Sequence, residues 1–187
     1  MKNLFFITIV FSVGLAVNAQ SEKDIVSTRE MERINWMDFK AVVPSKITTV
    51  ILPTGTLEPH GVINNGADNT APFAIAKTIA KQTNAMIAPT LPYGITGSLE
   101  AYPGAFQITE AAYRPFVKQI LEGLVKNGFR SIIILNGHGG GQTAVLTSVA
   151  AEVAIDSVAR RALLDREDGG LTDRLDAQAH EAAALRA

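Results

Sequence analysis

Ser131 to Leu135 reads SIIIL, an unbroken apolar run that stops at Asn136-Gly137-His138-Gly139-Gly140-Gly141. A short apolar run without alternation suits a central parallel strand, buried on both faces. A strand that feeds a glycine-rich turn with a histidine inside it rarely serves packing alone. In open parallel sheets, ligands sit outside the carboxyl ends of the strands. The run therefore constrains both the class of fold and the rim on which chemistry belongs.

The preceding chain supplies neighbours for that strand. Ile47 to Leu52 (ITTVIL) is rich in β-branched residues and ends at Pro53-Thr54-Gly55, which predicts a strand followed by a turn. Thr70 to Lys81 places Phe73, Ile75, Ala76, Ile79 and Ala80 at helical spacing, with Asp68 or Asn69 set to cap the helix. Met86 to Ala88 predicts a second short strand, closed by Pro89. Thr109 is placed to cap a helix with Phe116, Ile120, Leu121, Leu124 and Val125 on its apolar face, ended by Asn127-Gly128. A further helix should begin near Gln142 and carry Val145, Leu146, Val149 and Val153. The β-α-β-α-β order predicts an α/β fold: an open, mainly parallel sheet with helices on both sides.

A chain of 187 residues has room for one domain with a real core. Its formal net charge of −1 leaves no basic excess to meet nucleic acid or an anionic membrane surface. It has no cysteine, so disulfides, thiolate ligands and a cysteine nucleophile are excluded. Any metal must be held by His, Asp and Glu.

Lys2, the apolar run from Leu4 to Val17 and the small residues of Val17-Asn18-Ala19 read as a secretory signal over residues 1–19. The run is short for an anchor helix. The mature chain is expected to be exported, periplasmic or extracellular, with no stable membrane association after cleavage. Residues 20–32 read as a polar leader, 33–153 as the α/β domain, and 154–187 as an atypical Ala/Arg-rich helical tail. No lysine follows Lys126.

The chemistry gathers in two clusters. In an extended segment, residues two apart point the same way, so Glu58 and His60 address one region across Pro59. Asp68 stands at the mouth of the next helix, and His138 comes from the strand that opened the argument. Taken singly, Glu58 reads as a solvated loop carboxylate and His60 as a turn histidine. On one shared rim, the four read as a site for Zn or Mn. Two other uses of the glycine turn fit poorly. A phosphate loop would end in Lys-Ser/Thr or follow G-x-G-x-x-G, and Gln142 stands where the last glycine should be. An esterase oxyanion loop needs a G-x-S-x-G nucleophile turn, which the chain lacks.

Leu52-Pro53-Thr54-Gly55-Thr56-Leu57-Glu58-Pro59-His60-Gly61, Asp68, Leu91-Pro92-Tyr93-Gly94, Tyr102-Pro103-Gly104 and Asn136-Gly137-His138-Gly139-Gly140 resemble the creatininase (creatinine amidohydrolase) family in order and spacing. The likeness runs from about Trp36 to Val149. It implies a three-layer α/β/α fold with a mainly parallel sheet, a homo-oligomer, and a hydrolase of cyclic amides or related C–N bonds. Such an enzyme takes a small-molecule amide substrate and uses a metal-activated water.

The resemblance further implies that Glu58 and His138 bind one divalent metal, that His60 binds a second, and that Asp68 bridges them. The loop of Tyr102, Pro103 and Gly104, with Gly139 and Gly140, would wall the substrate pocket. Gly140 stands where a family glutamate completes the second metal, so the first site is expected to be well held and the second weak. Family members also continue into a His-Ala-Gly-like turn that supplies a catalytic histidine. Here the tail offers only His180 and Glu181. A truncated, non-catalytic relative that binds at most one metal is the competing expectation.

Overall fold

The computed structural model describes residues 25–167, with side chains to residue 158. The signal segment, the start of the leader, His180 and Glu181 lie outside the described residues.

Three parallel strands form the sheet: β1 (Thr49–Thr54), β2 (Ala85–Ile87) and β3 (Ser131–Asn136). Their order is β2-β1-β3. Among the described residues four α-helices accompany them: α1 (Trp36–Val42), α2 (Ala67–Ile79), α3 (Glu110–Lys126) and α4 (Gly141–Glu167). The two-residue alternation of β1 sorts its side chains into two cores. Val50 and Leu52 join Met86 with Val117, Leu121 and Leu124 of α3 and Val145, Leu146 and Val149 of α4. Ile51 joins Ala85, Ile87 and Ala76 of α2 on the opposite face. The result is the expected three-layer α/β/α arrangement.

Three local expectations need correction. The central strand is β1, not β3. Register runs from Thr49 opposite Ser131 to Thr54 opposite Asn136, and among the described residues no strand pairs with the other edge of β3. Nor is β3 buried on both faces: none of Ser131–Asn136 is buried, and Ile133 is 41% exposed. An apolar run favours a strand, whereas lateral position and cover depend on pairing order and neighbouring elements. The run encodes neither.

Helix α2 begins at Ala67, earlier than the periodicity suggests, behind Gly66. Asp68 and Asn69 therefore lie inside its first turn and do not cap it. Pro72 has no N–H to give back to the Asp68 carbonyl. That carbonyl packs against Gly137 instead, where an added Cβ would collide with Asp68 O and Pro72 Cδ. The start of α2 is thus seated directly on the turn after β3.

In α3, Thr109 occupies the N-cap without a side-chain bond, and the buried stripe is Tyr113, Val117, Leu121 and Leu124. Phe116 is half exposed, because it lies about 100° around the helix from Val117. The Tyr113 hydroxyl is buried without a hydrogen-bond partner. Burial pushes its pKa up to about 12.

Part of the segment read as leader packs on the domain: Val26 is buried in the larger core, and Ile87 N donates to Arg29 O at 2.7 Å. No described helix is long and apolar enough to cross a membrane.

Candidate metal centre

All four candidate ligands come from segments that leave the carboxyl end of the sheet or begin a helix there. Glu58 lies four residues beyond β1, His138 two beyond β3, and Asp68 in the first turn of α2. His60 is carried by a tight turn in which it bridges to Ile63, and Gly61 at φ 65° permits the reversal. The loop is tied down by Glu58 N, which donates to Asn65 O at 3.1 Å. Asn69 Nδ2 ties the helix start to the loop after β1 through Thr56 O at 3.0 Å.

The side chains converge. His138 Nδ1 lies 2.8 Å from Asp68 Oδ2 and 3.3 Å from Glu58 Oε1. His60 Nε2 lies 3.2 Å from Asp68 Oδ1. Glu58, Asp68 and His138 each offer a ligand atom, all within 4.8 Å of one another. His60 stands outside that triad but shares Asp68 with it. The glutamate is almost wholly buried, at 5% exposure.

Two features test whether the cluster suits a cation. Glu58 Oε2 and His60 Nε2 are buried with no hydrogen-bond partner. His60 is close enough to Asp68 for ion pairing, yet not aligned for a hydrogen bond. Buried polar atoms are seldom left unpaired, because desolvation without compensation is costly. His138 gives the sharper test. Its Nε2 lies 3.0 Å from the Ile95 carbonyl oxygen, which can only accept, so Nε2 carries the proton. Nδ1 faces two carboxylates at 2.8 and 3.3 Å, which gather negative charge at one point. A bare Nδ1 there would repel them, and a proton or a divalent cation removes the conflict. Two carboxylates and an imidazole are a normal three-ligand complement for zinc or manganese. The residues present fit such an ion.

Behind the ligands lies a polar scaffold that periodicity and spacing did not single out. Asn136 Oδ1 accepts from Thr54 Oγ1 at 3.0 Å and from His138 N at 3.2 Å, and Asn136 Nδ2 donates to His138 O. Gln142, fully buried, donates from Nε2 to Asn136 Oδ1 and Gly55 O, and its Oε1 accepts from Ile95 N. The available signal was a glutamine at the second position of a helix, directly after a glycine turn. A polar residue where the apolar helix face begins is a candidate for buried pairing.

The other predicted residues are more loosely placed. Tyr102 is more than half exposed. Gly104 adopts φ 85° and lies against Asn65, in the segment that joins His60 to Asp68. Gly139 and Gly140 have open space where a Cβ would stand. Tyr93 and Phe106, both about half exposed, meet edge to face at 5.6 Å.

The family described as Creatininase: Creatinine amidohydrolase matches residues 32–185. The creatinine amidohydrolase of Pseudomonas putida is 29% identical over 111 residues, which cover 56% of this chain and 43% of that protein. The mycofactocin precursor peptide peptidase of Mycolicibacterium smegmatis is 31% identical over 113 residues, 57% of this chain and 45% of that one. The chain thus spans less than half the length of these curated relatives. A solved manganese creatininase superposes with a TM-score of 0.65 at 23% identity, covering 72% of this chain and 54% of its own. A Zn–Zn form gives the same figures. At that identity the likeness shows the fold.

Proposed function

The chain belongs to the creatininase family, and from that premise we propose that it is a metal-dependent hydrolase of cyclic amide or related C–N bonds. The observation that carries the reading is the convergence of Glu58, Asp68 and His138 within 4.8 Å, with His138 Nδ1 turned toward both carboxylates. Glu58, Asp68 and His138 would hold the first divalent ion. Asp68 and His60 would contribute to a weaker second position. When bound, such ions polarise the amide carbonyl and lower the pKa of a water that attacks it. Water adds its oxygen to the acyl carbon, the C–N bond breaks, and the nitrogen leaves with a proton.

This chain's own residues do the holding. The Ile95 carbonyl fixes the imidazole of His138, and burial of Glu58 keeps bulk water from its carboxylate. Gly139 and Gly140 leave space beside the cluster for substrate. The loop of Tyr102, Pro103 and Gly104 walls that space, which its packing on Asn65 supports. The residues 1–19 support export, and family resemblance supports a homo-oligomer.

Metal analysis of the purified full chain, with hydrolysis assays on a panel of cyclic amides, tests the reading. Bound metal and turnover abolished by a chelator are expected. Metal bound without chelator-sensitive turnover would establish the competing, non-catalytic reading. Absence of metal, unaltered by His138→Ala, would remove the metal centre altogether.

A further inference from the structure

Resting on that reading of the metal centre, we propose that Gln142 is a positioning residue. Its buried side-chain amide fixes the backbone of Ile95, whose carbonyl holds His138 with Nδ1 turned to the ion.

Gln142 has no exposed surface, although it is polar. A buried amide costs stability unless its groups are paired. Here it serves three segments at once. Nε2 donates to Gly55 O at 3.2 Å, just beyond β1, and to Asn136 Oδ1 at 3.1 Å, at the end of β3. Oε1 accepts from Ile95 N at 2.9 Å. Ile95 is therefore gripped at its backbone nitrogen by Gln142, while its carbonyl accepts from His138 Nε2 at 3.0 Å. The glutamine occupies space left vacant by Gly94, where an added Cβ would overlap Oε1 and crowd Gly55 O. Outer partners of this kind fix the tautomer and ring orientation of a ligating histidine. Gln142 acts one step further out, by placing the carbonyl that does so.

A role confined to tying strands together would alter stability alone. A positioning role also alters the His138 tautomer and the affinity for the ion. The test uses the full chain, labelled with ¹⁵N. Long-range ¹H–¹⁵N spectra of the metal-free wild type, taken well above the histidine titration range, should show His138 protonated at Nε2 and bare at Nδ1. The Ile95 amide should exchange slowly. Zinc titrated calorimetrically into Gln142→Met should bind about 10–100-fold more weakly than into wild type, the range for lost outer partners. The His138 signals of that variant should show mixed tautomers.

Wild type that binds zinc, with Gln142→Met keeping both its tautomer and its affinity within about twofold, overturns the positioning role alone. A wild type that takes up no zinc overturns the metal reading and this proposal with it. Should Gln142→Met fail to fold, the wild-type spectra decide. Nε2–H with a protected Ile95 amide supports the assignment, and Nδ1–H overturns it.

Discussion

Asp68 Oδ2 stands 2.8 Å from His138 Nδ1, across the junction between the first turn of α2 and the turn that follows β3. The other oxygen of the same carboxylate faces His60 at 3.2 Å. One side chain therefore serves both imidazoles, and neither histidine comes from the segment that supplies it. Losing this carboxylate should weaken every ion at the centre. Asp68→Ala is expected to lower zinc affinity by at least ~100-fold, since outer partners alone are worth 10–100-fold. Isothermal titration calorimetry reads the loss directly.

The two halves of the cluster should separate in the same calorimeter. Titration of manganese into the wild type is expected to resolve one tight and one weak event. His60→Ala should remove the weak event and leave the tight one within about threefold, because His60 lies outside the inner triad. Gly140→Glu should strengthen the weak event. Space there is open, although φ 64° costs a non-glycine residue roughly 1 kcal/mol.

Tyr113 supplies a prediction about alkaline pH. Burial raises its pKa from the usual 10.0 to about 12 in the folded protein. Between those values the unfolded chain loses the proton while the folded chain keeps it. Stability from this group is therefore level below pH 10 and falls as pH rises toward 12. Tyr113→Phe should flatten that part of the curve in chemical denaturation. It should also leave neutral-pH stability unchanged or raise it by about 1 kcal/mol, since the hydroxyl has no partner.

Gly137 lies where the backbone of α2 meets the turn after β3. A Cβ there would strike the Asp68 carbonyl and Pro72 Cδ, neither of which is the far end of a flexible chain. Gly137→Ala should destabilise the fold by about 1–3 kcal/mol. The denaturation midpoint measures the cost, and zinc affinity should fall in parallel, because the displaced carbonyl belongs to Asp68.

Much of this was legible in the chain. β-branched and apolar runs located all three strands, and helical spacing found α2, α3 and α4, because those signals are local and periodic. The convergence of Glu58, His60, Asp68 and His138 was legible for a different reason. In a parallel α/β sheet, strand ends and helix starts share one rim, so topology does the gathering. The edge position and partial exposure of β3 were not legible, since apolar content encodes neither lateral neighbours nor what covers each face. Nor was the displacement of Phe116 by Tyr113 on α3, where both spacings are compatible with a helix and packing decides. Gln142 was passed over because its partners are mainly backbone atoms of distant residues. A main-chain carbonyl such as that of Ile95 leaves no trace in a residue pattern.

The seat that Gly94 leaves for Gln142 also bears on how such chains can vary through descent. A side chain at position 94 and a glutamine at position 142 compete for the same volume, so position 94 is not free to change while the glutamine stays. Lineages that replace the glycine should have shortened or lost the glutamine, and an aligned set of relatives should show the two positions changing together. Where the pair has been exchanged, some other group must hold the peptide behind the histidine.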